Sequence, residues 1–400
     1  MEIDRIHFYV KDGAERSEWF RQRMGFQPIG SIKSDSARTE IFLGGSVYWL
    51  VSSPLTSSSP VASYLESHPD GIADVAFRVR DLESFLTKAT GAGELLQPLQ
   101  KRNFEIGTVK WAKIRGWGSL SHTLIETEIE TKIEKEIKPE SIDYFYHFIL
   151  ALEANECEIE IGQAIELEYN LSSLSSDIAR TARSDLSSGS LDFAIDHLVL
   201  NVATGDLEKA SGYYQKLFGF QVKQVFDIQT DRSGLYSQVL QEKSDRFWLN
   251  INEPTSANSQ IQEFLDWNRG SGIQHIALRV TNLVETVARL RDRGLSFLSA
   301  PPTYYRQLRQ RCQNIPVPLD EREWNYIEEL QILLEVKRDS PSNLLLQIFT
   351  QPIFKEPTFF FEFISRRGGA HGFGQNNFRA LFEAIELEQS KRNNLLAAQL

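Results

Sequence analysis

Two stretches of the chain share one order of apolar and polar positions. Residues 3–28 and 195–221 each begin with alternating apolar residues and continue through an aromatic segment to a Gly-Phe pair. The alternation predicts a β-strand, and the segment after it predicts a helix that ends at Gly25 in the first copy and at Gly219 in the second. Glycine suits these positions because the residue that follows a helix often has a positive φ.

A second pair of matching segments follows in the same order. Gly71–Val79 and Gly272–Val280 predict strands, and each strand runs into an amphipathic segment, Leu82 to Ala92 or Leu283 to Gly294. Two matched blocks in one order indicate a duplicated module. We therefore predict an α+β fold in which duplicated βαβββ modules, two in each half, form two barrel-like half-domains around inner cavities.

The composition changes between the two halves. Residues 126–141 are rich in Glu, Lys and Ile, and the isoleucines recur every four positions from Ile125. This spacing could form one narrow helical ridge with a solvated charged face, and a functional acidic patch is the alternative. Residues 172–190 are rich in serine, as linkers are. The predicted divisions are an N-terminal domain with the Glu/Lys-rich insertion at 1–170, a linker at 171–190 and a C-terminal catalytic domain at 191–400.

The C-terminal segment predicts an amphipathic helix. Its apolar residues follow i, i+3, i+4, i+7 spacing at Phe378, Leu381, Phe382 and Ile385. Asn376 or Asn377 is the expected N-cap, because an asparagine side chain can accept a hydrogen bond from a free backbone N–H of the first turn.

The composition argues against a nucleic-acid-binding protein and against a membrane-spanning one. The 400 residues suffice for two or three domains, and the formal charge of −11 argues against nucleic acid as a partner. The first residues lack a basic segment followed by an apolar one, and no apolar run approaches the roughly 20 residues that cross a bilayer. Cys157 and Cys312 are the two cysteines, which fits a reducing compartment. We expect a cytoplasmic protein without a membrane segment.

Two of the seven histidines stand out because of the repeat. Taken singly, a histidine is more often a surface or core residue than a metal ligand. His197 lies on the first strand of the second copy and His275 on its later strand, whereas the first copy has Arg5 and Asp74 at these positions. No local spacing motif links the two histidines, so they predict a metal site only if the fold brings them together.

A third candidate ligand is Glu362, which interrupts the apolar run Phe359–Ile364. Burying an unpaired carboxylate costs several kcal/mol unless it is protonated or meets a cation. The alternative is a strand edge at which Glu362 reaches solvent, and Gln347 poses a similar question in its own apolar run. Two histidines and one carboxylate form the facial triad of non-heme Fe(II) enzymes, whereas structural zinc prefers four closed ligands.

Short motifs in a fixed order connect these residues with a known family. They are Ile195-Asp196-His197, Asn252-Glu253-Pro254-Thr255, Ser259-Gln260-Ile261, Gly272-Ile273-Gln274-His275-Ile276-Ala277, Pro302-Thr303-Tyr304-Tyr305, Leu345-Leu346-Gln347-Ile348-Phe349-Thr350, Phe360-Phe361-Glu362, Gly372-Phe373-Gly374 and Asn377-Phe378. With these motifs, the chain from about residue 191 to its end resembles the 4-hydroxyphenylpyruvate dioxygenase family of the vicinal oxygen chelate superfamily. The first half resembles the non-catalytic domain of that family more loosely.

The resemblance implies that His197, His275 and Glu362 hold one Fe(II) per subunit. It implies a set of polar substrate-binding residues, Ser237, Asn252, Gln260, Gln274 and Gln347. It also implies an aromatic wall of Phe349, Phe360, Phe373, Phe378 and Phe382, the last two on a C-terminal helix that covers the site. The expected catalytic residues are the three ligands, which act through the iron, and Gln260. Core packing is the alternative for the phenylalanines, above all for Phe373 and Phe382.

The implied reaction converts the 2-oxo acid 4-hydroxyphenylpyruvate and O2 to homogentisate and CO2. It proceeds by oxidative decarboxylation, ring hydroxylation and side-chain migration, in a homodimer or homotetramer. Whether homogentisate would serve tyrosine breakdown or the synthesis of plastoquinone and tocopherols stays open.

Three alternatives to this reaction remain. Hydroxymandelate synthase uses the same substrate and triad, but tends to carry a hydroxyl residue at the Asn252 position and Tyr at the Phe378 position. A non-enzymatic small-ligand-binding protein would not need all three ligands. An extradiol ring-cleaving dioxygenase would act on a catechol.

Overall fold

The computed structural model describes residues 1–89, 91, 93–104, 107–129, 158–161, 193–230, 233–243, 247–300, 302–373 and 375–397. In these ranges no helix combines the length and the apolar character that a bilayer crossing requires. Three features named above lie wholly or partly outside the described residues: Cys157, the linker at 171–190, and the Glu/Lys-rich stretch from residue 130 onward.

The first half contains nine strands and three helices among the described residues. In chain order they are β1 (Glu2–Tyr9), α1 (Gly13–Trp19, continued by a π-helical turn at Phe20–Met24), β2 (Gln27–Lys33), β3 (Ala37–Gly44), β4 (Val47–Pro54), α2 (Pro60–Ser67), β5 (Gly71–Arg78), α3 (Leu82–Ala89), β6 (Leu95–Phe104), β7 (Gly107–Arg115), β8 (Ser121–Ile129) and β9 (Glu158–Ile161).

The second half contains eight strands and six helices in the same described ranges. They are β10 (Ala194–Asn201), α4 (Leu207–Phe218), β11 (Gln221–Gln229), β12 (Gly234–Gln241), β13 (Trp248–Pro254), α5 (Gln260–Asn268), β14 (Gly272–Arg279), α6 (Leu283–Asp292), α7 (Pro302–Cys312), α8 (Glu321–Glu329), β15 (Leu333–Lys337), β16 (Ser340–Phe349), β17 (Phe360–Arg367) and α9 (Gln375–Ala397).

The strand order confirms the predicted α+β fold of duplicated βαβββ modules. The first sheet has the order β6-β7-β8-β5-β1-β4-β3-β2-β9 and the second has β11-β12-β13-β10-β14-β17-β16-β15. In each half two modules meet through one central antiparallel pair, β1 with β5 and β10 with β14. Each strand of these pairs has a parallel neighbour on its other side: β4 beside β1, β8 beside β5, β13 beside β10 and β17 beside β14. Helices α7 and α8, which the repeat did not predict, are inserted before β15.

Local chemistry explains where the elements begin and end. Gly25 and Gly219 follow their helices with φ of 69° and 72°, as predicted from the repeat. Ser59 and Ser259 occupy equivalent places in the two halves, and each hydroxyl accepts a hydrogen bond from a backbone N–H in the first turn of the following helix. Asn282 caps α6 in the same manner.

Two sequence-based expectations are wrong at their boundaries. Residues 125–129 do not start a helix but form the end of β8, where β7 supplies a hydrogen-bonded partner strand. Helix α9 begins at Gln375, so Asn376 and Asn377 both lie inside its first turn and neither is the N-cap. The side chain of Asn377 is buried and binds Gln347, a tertiary partner that a capping rule cannot foresee.

Strand β17 explains the apolar run around Glu362. Its alternate side chains point to opposite faces, as in any strand. Phe359 and Phe361 pack against aromatic residues of the first half, including Phe8 and Trp49 at ring-centroid distances of 5.3 and 5.7 Å. Glu362 therefore points to the inner face of the second sheet and does not reach solvent, with an exposed fraction of 2%.

A buried polar contact joins the two halves at His122 and Tyr214. The Nδ1–H of His122 donates to the carbonyl of Val75 at 3.0 Å, and Nε2 accepts from the Tyr214 hydroxyl at 3.1 Å. The same hydroxyl accepts from the backbone N–H of Trp117 at 3.4 Å. Burial lowers the pKa of His122 to about 4, although the Val75 carbonyl and the charge of Asp74 partly oppose this shift. The imidazole is therefore neutral in the folded protein near neutral pH.

We expect the free energy of unfolding to fall as the pH decreases from about 6.5 to 4. In this range the unfolded chain binds a proton at His122 and the folded chain does not. Because the pKa of His122 in the folded protein is lowered to about 4, this difference lowers the free energy of unfolding by up to about 3 kcal/mol. Urea unfolding of the wild type and of His122→Gln at several pH values measures the effect. The glutamine can keep both hydrogen bonds, so the variant should show a shallower pH dependence. An equal slope in the two proteins would contradict this assignment.

Candidate metal centre

Three neighbouring strands carry the three predicted ligands. His197 lies on β10, His275 on β14 and Glu362 on β17, and β14 pairs with both of the other strands. In the register of the sheet His275 lies opposite Val199, two residues beyond His197, and Glu362 lies beside Ala277, two residues beyond His275. Because side chains two residues apart on a strand share a face, all three ligands face the inside of the sheet.

Two β-bulges shape this site. An extra residue, Asp196, interrupts the pairing between Ile195 and His197, and Gln274 is the extra residue next to His275. The first half has bulges at the equivalent places. A bulge re-aims the side chains beside it, and here each bulge puts a polar side chain next to a candidate metal ligand.

The three ligand groups form a compact buried cluster. One donor atom from each of His197, His275 and Glu362 lies within 4.8 Å of the other two. Oε2 of Glu362 is 3.1 Å from Nε2 of His197 and 3.5 Å from Nε2 of His275. The residues are 1–6% exposed. This is the donor set of the facial triad, which suits a divalent transition metal and leaves coordination positions open.

The raised pKa of His197 favours a positive charge on its ring beside the carboxylate of Glu362. Burial alone would lower the pKa of His197, but the carboxylates of Glu362 and Asp196 outweigh it and raise that pKa to about 9. Burial would raise the pKa of Glu362, yet the charge of His197 brings it down to about 2. Burial lowers the pKa of His275. A divalent cation would replace the His197 proton as the partner of the carboxylate.

Asp196 and Arg366 orient the first ligand. A carboxylate can only accept here, so Nδ1–H of His197 donates to Oδ1 of Asp196 at 3.0 Å, and Nε2 is left to face the metal position. The guanidinium of Arg366 donates to both oxygens of Asp196, at 3.0 and 2.8 Å. These bonds and the charge of Arg366 overcome burial and lower the pKa of Asp196 below its ordinary value.

A chain of amides orients the carboxylate ligand. Nε2 of Gln347 donates to Oε1 of Glu362 at 2.8 Å, and Nδ2 of Asn377 donates to Oε1 of Gln347 at 2.8 Å. The Tyr304 hydroxyl donates to Oδ1 of Asn377 at 3.0 Å. One carboxylate oxygen is thereby held by the protein, and Oε2 remains for the metal.

A small cavity lies beside the three ligands. Besides the ligands its walls consist of Val199, Asn250, Asn252, Gln347, Phe349, Phe373, Phe378 and Leu381. Several buried polar atoms here have no hydrogen-bond partner among the described residues: the side-chain oxygens of Asn250 and Asn252, Nδ2 of Asn201 and Oγ of Ser237, which lies opposite Asn252 in the β12–β13 register. Buried polar atoms are normally satisfied, so this arrangement suits a polar ligand.

The aromatic residues occupy different positions around the site. Phe360 stacks on His275 with ring centroids 4.7 Å apart, and Phe373 meets His197 edge to face at 4.8 Å. Phe349 and Phe378 line the cavity. Phe382 does not line it; its fully buried ring packs among residues of α5, β11 and β12.

Gln260 and Gln274 lie together in a neighbouring cavity. Nε2 of Gln274 donates to Oε1 of Gln260 at 3.1 Å. Both side chains line a small space that Phe360 and Ile385 also border. Phe360 also stacks on His275, so this ring borders the space at the glutamine pair and contacts a candidate metal ligand.

The first half lacks these donors. Arg5 and Asp74 occupy the positions of the two histidines, and the register of β5 with β8 places Thr123 at the position of Glu362. The Ser121 hydroxyl donates to the Asp74 carboxylate at 2.6 Å. An arginine, an aspartate and a threonine cannot form the triad, so the second half alone presents it among the described residues.

Sequence reasoning did not assign roles to Arg366, Asn250 or Tyr304, and named Asp196 only as part of a motif. Asp196 could have been found, since an acidic residue next to a metal-binding histidine is a common outer partner. Arg366 lies four residues beyond Glu362 on the same strand face, a weaker signal. Asn250 and Tyr304 carry no sequence signal that separates them from other polar residues.

Comparison with known proteins relates the chain to one family over nearly its whole length. The Glyoxalase/Bleomycin resistance protein/Dioxygenase superfamily matches residues 194–317. The 4-hydroxyphenylpyruvate dioxygenases of Coccidioides posadasii and Yarrowia lipolytica are 30% and 32% identical over 98% of this chain and over 94% and 93% of their own lengths. The chain belongs to the 4-hydroxyphenylpyruvate dioxygenase family. It is therefore an enzyme, a dioxygenase of the vicinal oxygen chelate superfamily.

Two further proteins are similar to the chain over nearly its whole length. Uncharacterized protein slr0090 of Synechocystis sp. is 34% identical over 96% of this chain and 97% of its own. A triple mutant of 4-hydroxymandelate synthase from Streptomyces coelicolor superposes with a TM-score of 0.76 at 25% identity, and the match covers 97% of this chain and 98% of that one. This likeness confirms the two-half fold.

We expect Glu362→Gln to weaken the binding of a divalent metal by at least about 100-fold, because a neutral amide replaces the charged ligand. Anaerobic equilibrium dialysis with Fe(II) measures the affinity. Glu328→Gln is the control, because Glu328 lies on the surface of α8 and contacts Arg309. Metal binding by Glu362→Gln within a few-fold of the control would contradict the assignment of the centre.

Proposed function

We propose that this protein is a 4-hydroxyphenylpyruvate dioxygenase that holds one Fe(II) per subunit through His197, His275 and Glu362. Its products would be homogentisate and CO2. The observation that carries the proposal is the convergence of these three buried groups beside a cavity that has unpaired amides and aromatic walls. Relatives that carry this activity in their names match almost the whole chain.

The charge of the site supports an anionic substrate. Two neutral imidazoles and one carboxylate leave a bound divalent cation with about one net positive charge. No lysine or arginine is among the residues that line the cavity of the described structure. The carboxylate of a 2-oxo acid would therefore find its counter-charge at the metal, and its two chelating oxygens match the open positions of a facial triad.

When bound, the iron would supply the activation of O2 and the oxidation of the keto acid, which protein side chains cannot provide. The protein's task is orientation and exclusion of water. Gln347 and Asn377 fix the rotation of the Glu362 carboxylate, and Asp196 fixes the tautomer of His197. Glu362 and His197 would thus each present one defined atom to the metal.

The substrate ring would pack against the aromatic wall. Phe349, Phe373 and Phe378 surround the cavity and keep water from the reacting atoms. Asn252 and Ser237 would supply hydrogen bonds to the polar groups of the substrate, since both have buried oxygen atoms without a partner among the described residues. The Gln260–Gln274 pair would hold the ring hydroxyl, which requires Phe360 to turn aside.

Hydroxymandelate synthase is the second candidate, because a 4-hydroxymandelate synthase structure matches the chain over nearly its full length. It would use the same substrate and metal but hydroxylate the benzylic carbon. Asn252 and Phe378 favour the dioxygenase, since the synthase tends to have a hydroxyl residue and a tyrosine there. The domain boundaries at 1–170 and 191–400, the homodimeric or homotetrameric assembly and the cytoplasmic location remain predictions.

We expect the Fe(II)-loaded protein to consume O2 and 4-hydroxyphenylpyruvate and to release CO2 and homogentisate in equal amounts. An anaerobic Fe(II) titration, followed by addition of substrate and O2 with chromatography of the products, measures this. Formation of 4-hydroxymandelate would select the second candidate. If the protein binds Fe(II) but forms neither homogentisate nor 4-hydroxymandelate, both candidate functions are rejected.

We expect Gln260→Ala to lower kcat/KM about 10-fold to 100-fold, or to change the ring-oxidation products. The variant loses a buried hydrogen-bonding group, which is worth about 1–3 kcal/mol. Gln262→Ala, two residues further on the exposed side of α5, is the matched control because Gln262 contacts Asp266 on the surface. Full turnover by Gln260→Ala with unchanged products would remove Gln260 from the substrate site.

A further inference from the structure

Arg366 contacts Asp196, which supports His197, and the segment at Gly372–Phe373. Two of its nitrogens donate to the carboxylate of Asp196, which in turn accepts from His197. Its third nitrogen, Nη1, donates to the backbone carbonyl of Gly372 at 2.6 Å. The guanidinium carbon also lies 5.9 Å from the centre of the Phe373 ring.

The position of Arg366 on β17 links two ligands. Glu362 and Arg366 are four residues apart on one strand and share its inner face. Glu362 is a ligand itself, whereas Arg366 acts on His197 through Asp196. Strand β17 therefore influences the geometry of two ligands, Glu362 directly and His197 through Arg366 and Asp196, although His197 is distant in the sequence.

The second contact reaches the segment that covers the site. Gly372 has a φ of 86°, in the left-handed region, and its carbonyl points to Arg366. Phe373 follows directly and meets His197 edge to face at 4.8 Å. Helix α9, which lines the cavity with Phe378 and Leu381, begins two residues later.

We propose that Arg366 is a positioning residue that couples the metal ligand His197 to the covering segment at Gly372–Phe373. This inference rests on the metal centre of the proposed function and not on the identity of the product. When a metal fixes His197, Asp196 and Arg366 are fixed with it, and the carbonyl of Gly372 is held in place. Metal binding therefore stabilises the cover over the site, and the cover in turn stabilises the bound metal.

Arginine is suited to this role because its planar guanidinium has several donors in a fixed arrangement. Here it makes a bidentate contact with one carboxylate and a third bond in another direction. A lysine has one nitrogen on a flexible stem and cannot keep all three bonds in this geometry. Lys at this position would retain the charge beside Asp196 but lose the link to Gly372.

Hydrogen exchange with and without Co(II) tests the coupling, with no substrate present. In the wild type, Co(II) should slow the exchange of the amides at residues 371–373. Arg366→Gln should weaken Co(II) binding about 10-fold to 100-fold, the usual effect of losing an outer partner, and should abolish this metal-dependent slowing. Asp196→Asn should also weaken Co(II) binding.

Two further variants complete the test. Arg367→Gln is the matched control, because this neighbouring arginine binds Glu323 on the other side of the strand, and it should behave as the wild type in both measurements. Arg366→Lys keeps the charge and replaces Arg366→Gln in the test if that variant does not fold. It too should lose the metal-dependent slowing of amide exchange. Equal slowing by Co(II) in the wild type and in an Arg366 variant at metal saturation would overturn the proposal. A wrong product assignment would leave these results unchanged.

Discussion

The structure depends on a carboxylate buried in an apolar strand. Glu362 lies between phenylalanines and is almost completely removed from water, a placement that would cost several kcal/mol if the charge were unpaired. Two imidazoles face one of its oxygens and Gln347 donates to the other. The negative charge is balanced by the proton on His197 or by a bound divalent cation, and the surrounding polar partners hold the carboxylate in one orientation. The opposite face of the strand packs on the first half, so the core of the molecule holds the ligand strand in place.

The two halves share one scaffold, and among the described residues only the second half carries the ligand set. Both halves have the same strand order and bulges at equivalent positions next to the central pair. The first half has Arg5 and Asp74 where the second has histidines, so it cannot present the same donors. Its contribution is packing: Phe8 and Trp49 cover the back of β17. The first half has this fold without the metal ligands, so the bulges and the strand order do not depend on them.

Local patterns predicted the repeated strands, the glycine-terminated helices and the duplicated architecture. The spatial convergence of His197 and His275 could not be derived from their spacing and came from resemblance to a family. Capping logic failed at Asn377 because the buried amide of Gln347 competes for that side chain. Periodicity failed at residues 125–129 because pairing with β7 decides the local structure there. Arg366 was missed because Asp196, its partner, lies 170 residues earlier in the chain.

The hydrogen-bond chains that support Glu362 and His197 both lead to the start of helix α9. Gln347 orients Glu362, and Asn377 of α9 orients Gln347. Arg366 acts through Asp196 on His197 and also holds the carbonyl just before α9. The start of this helix is therefore bonded into the supports of two different ligands. A displacement of α9 large enough to admit a substrate would disturb both chains, so opening of the cover and the geometry of the metal centre cannot be independent. The helix that closes the cavity with Phe378 and Leu381 thus also carries Asn377, which supports the orientation of Glu362 through Gln347.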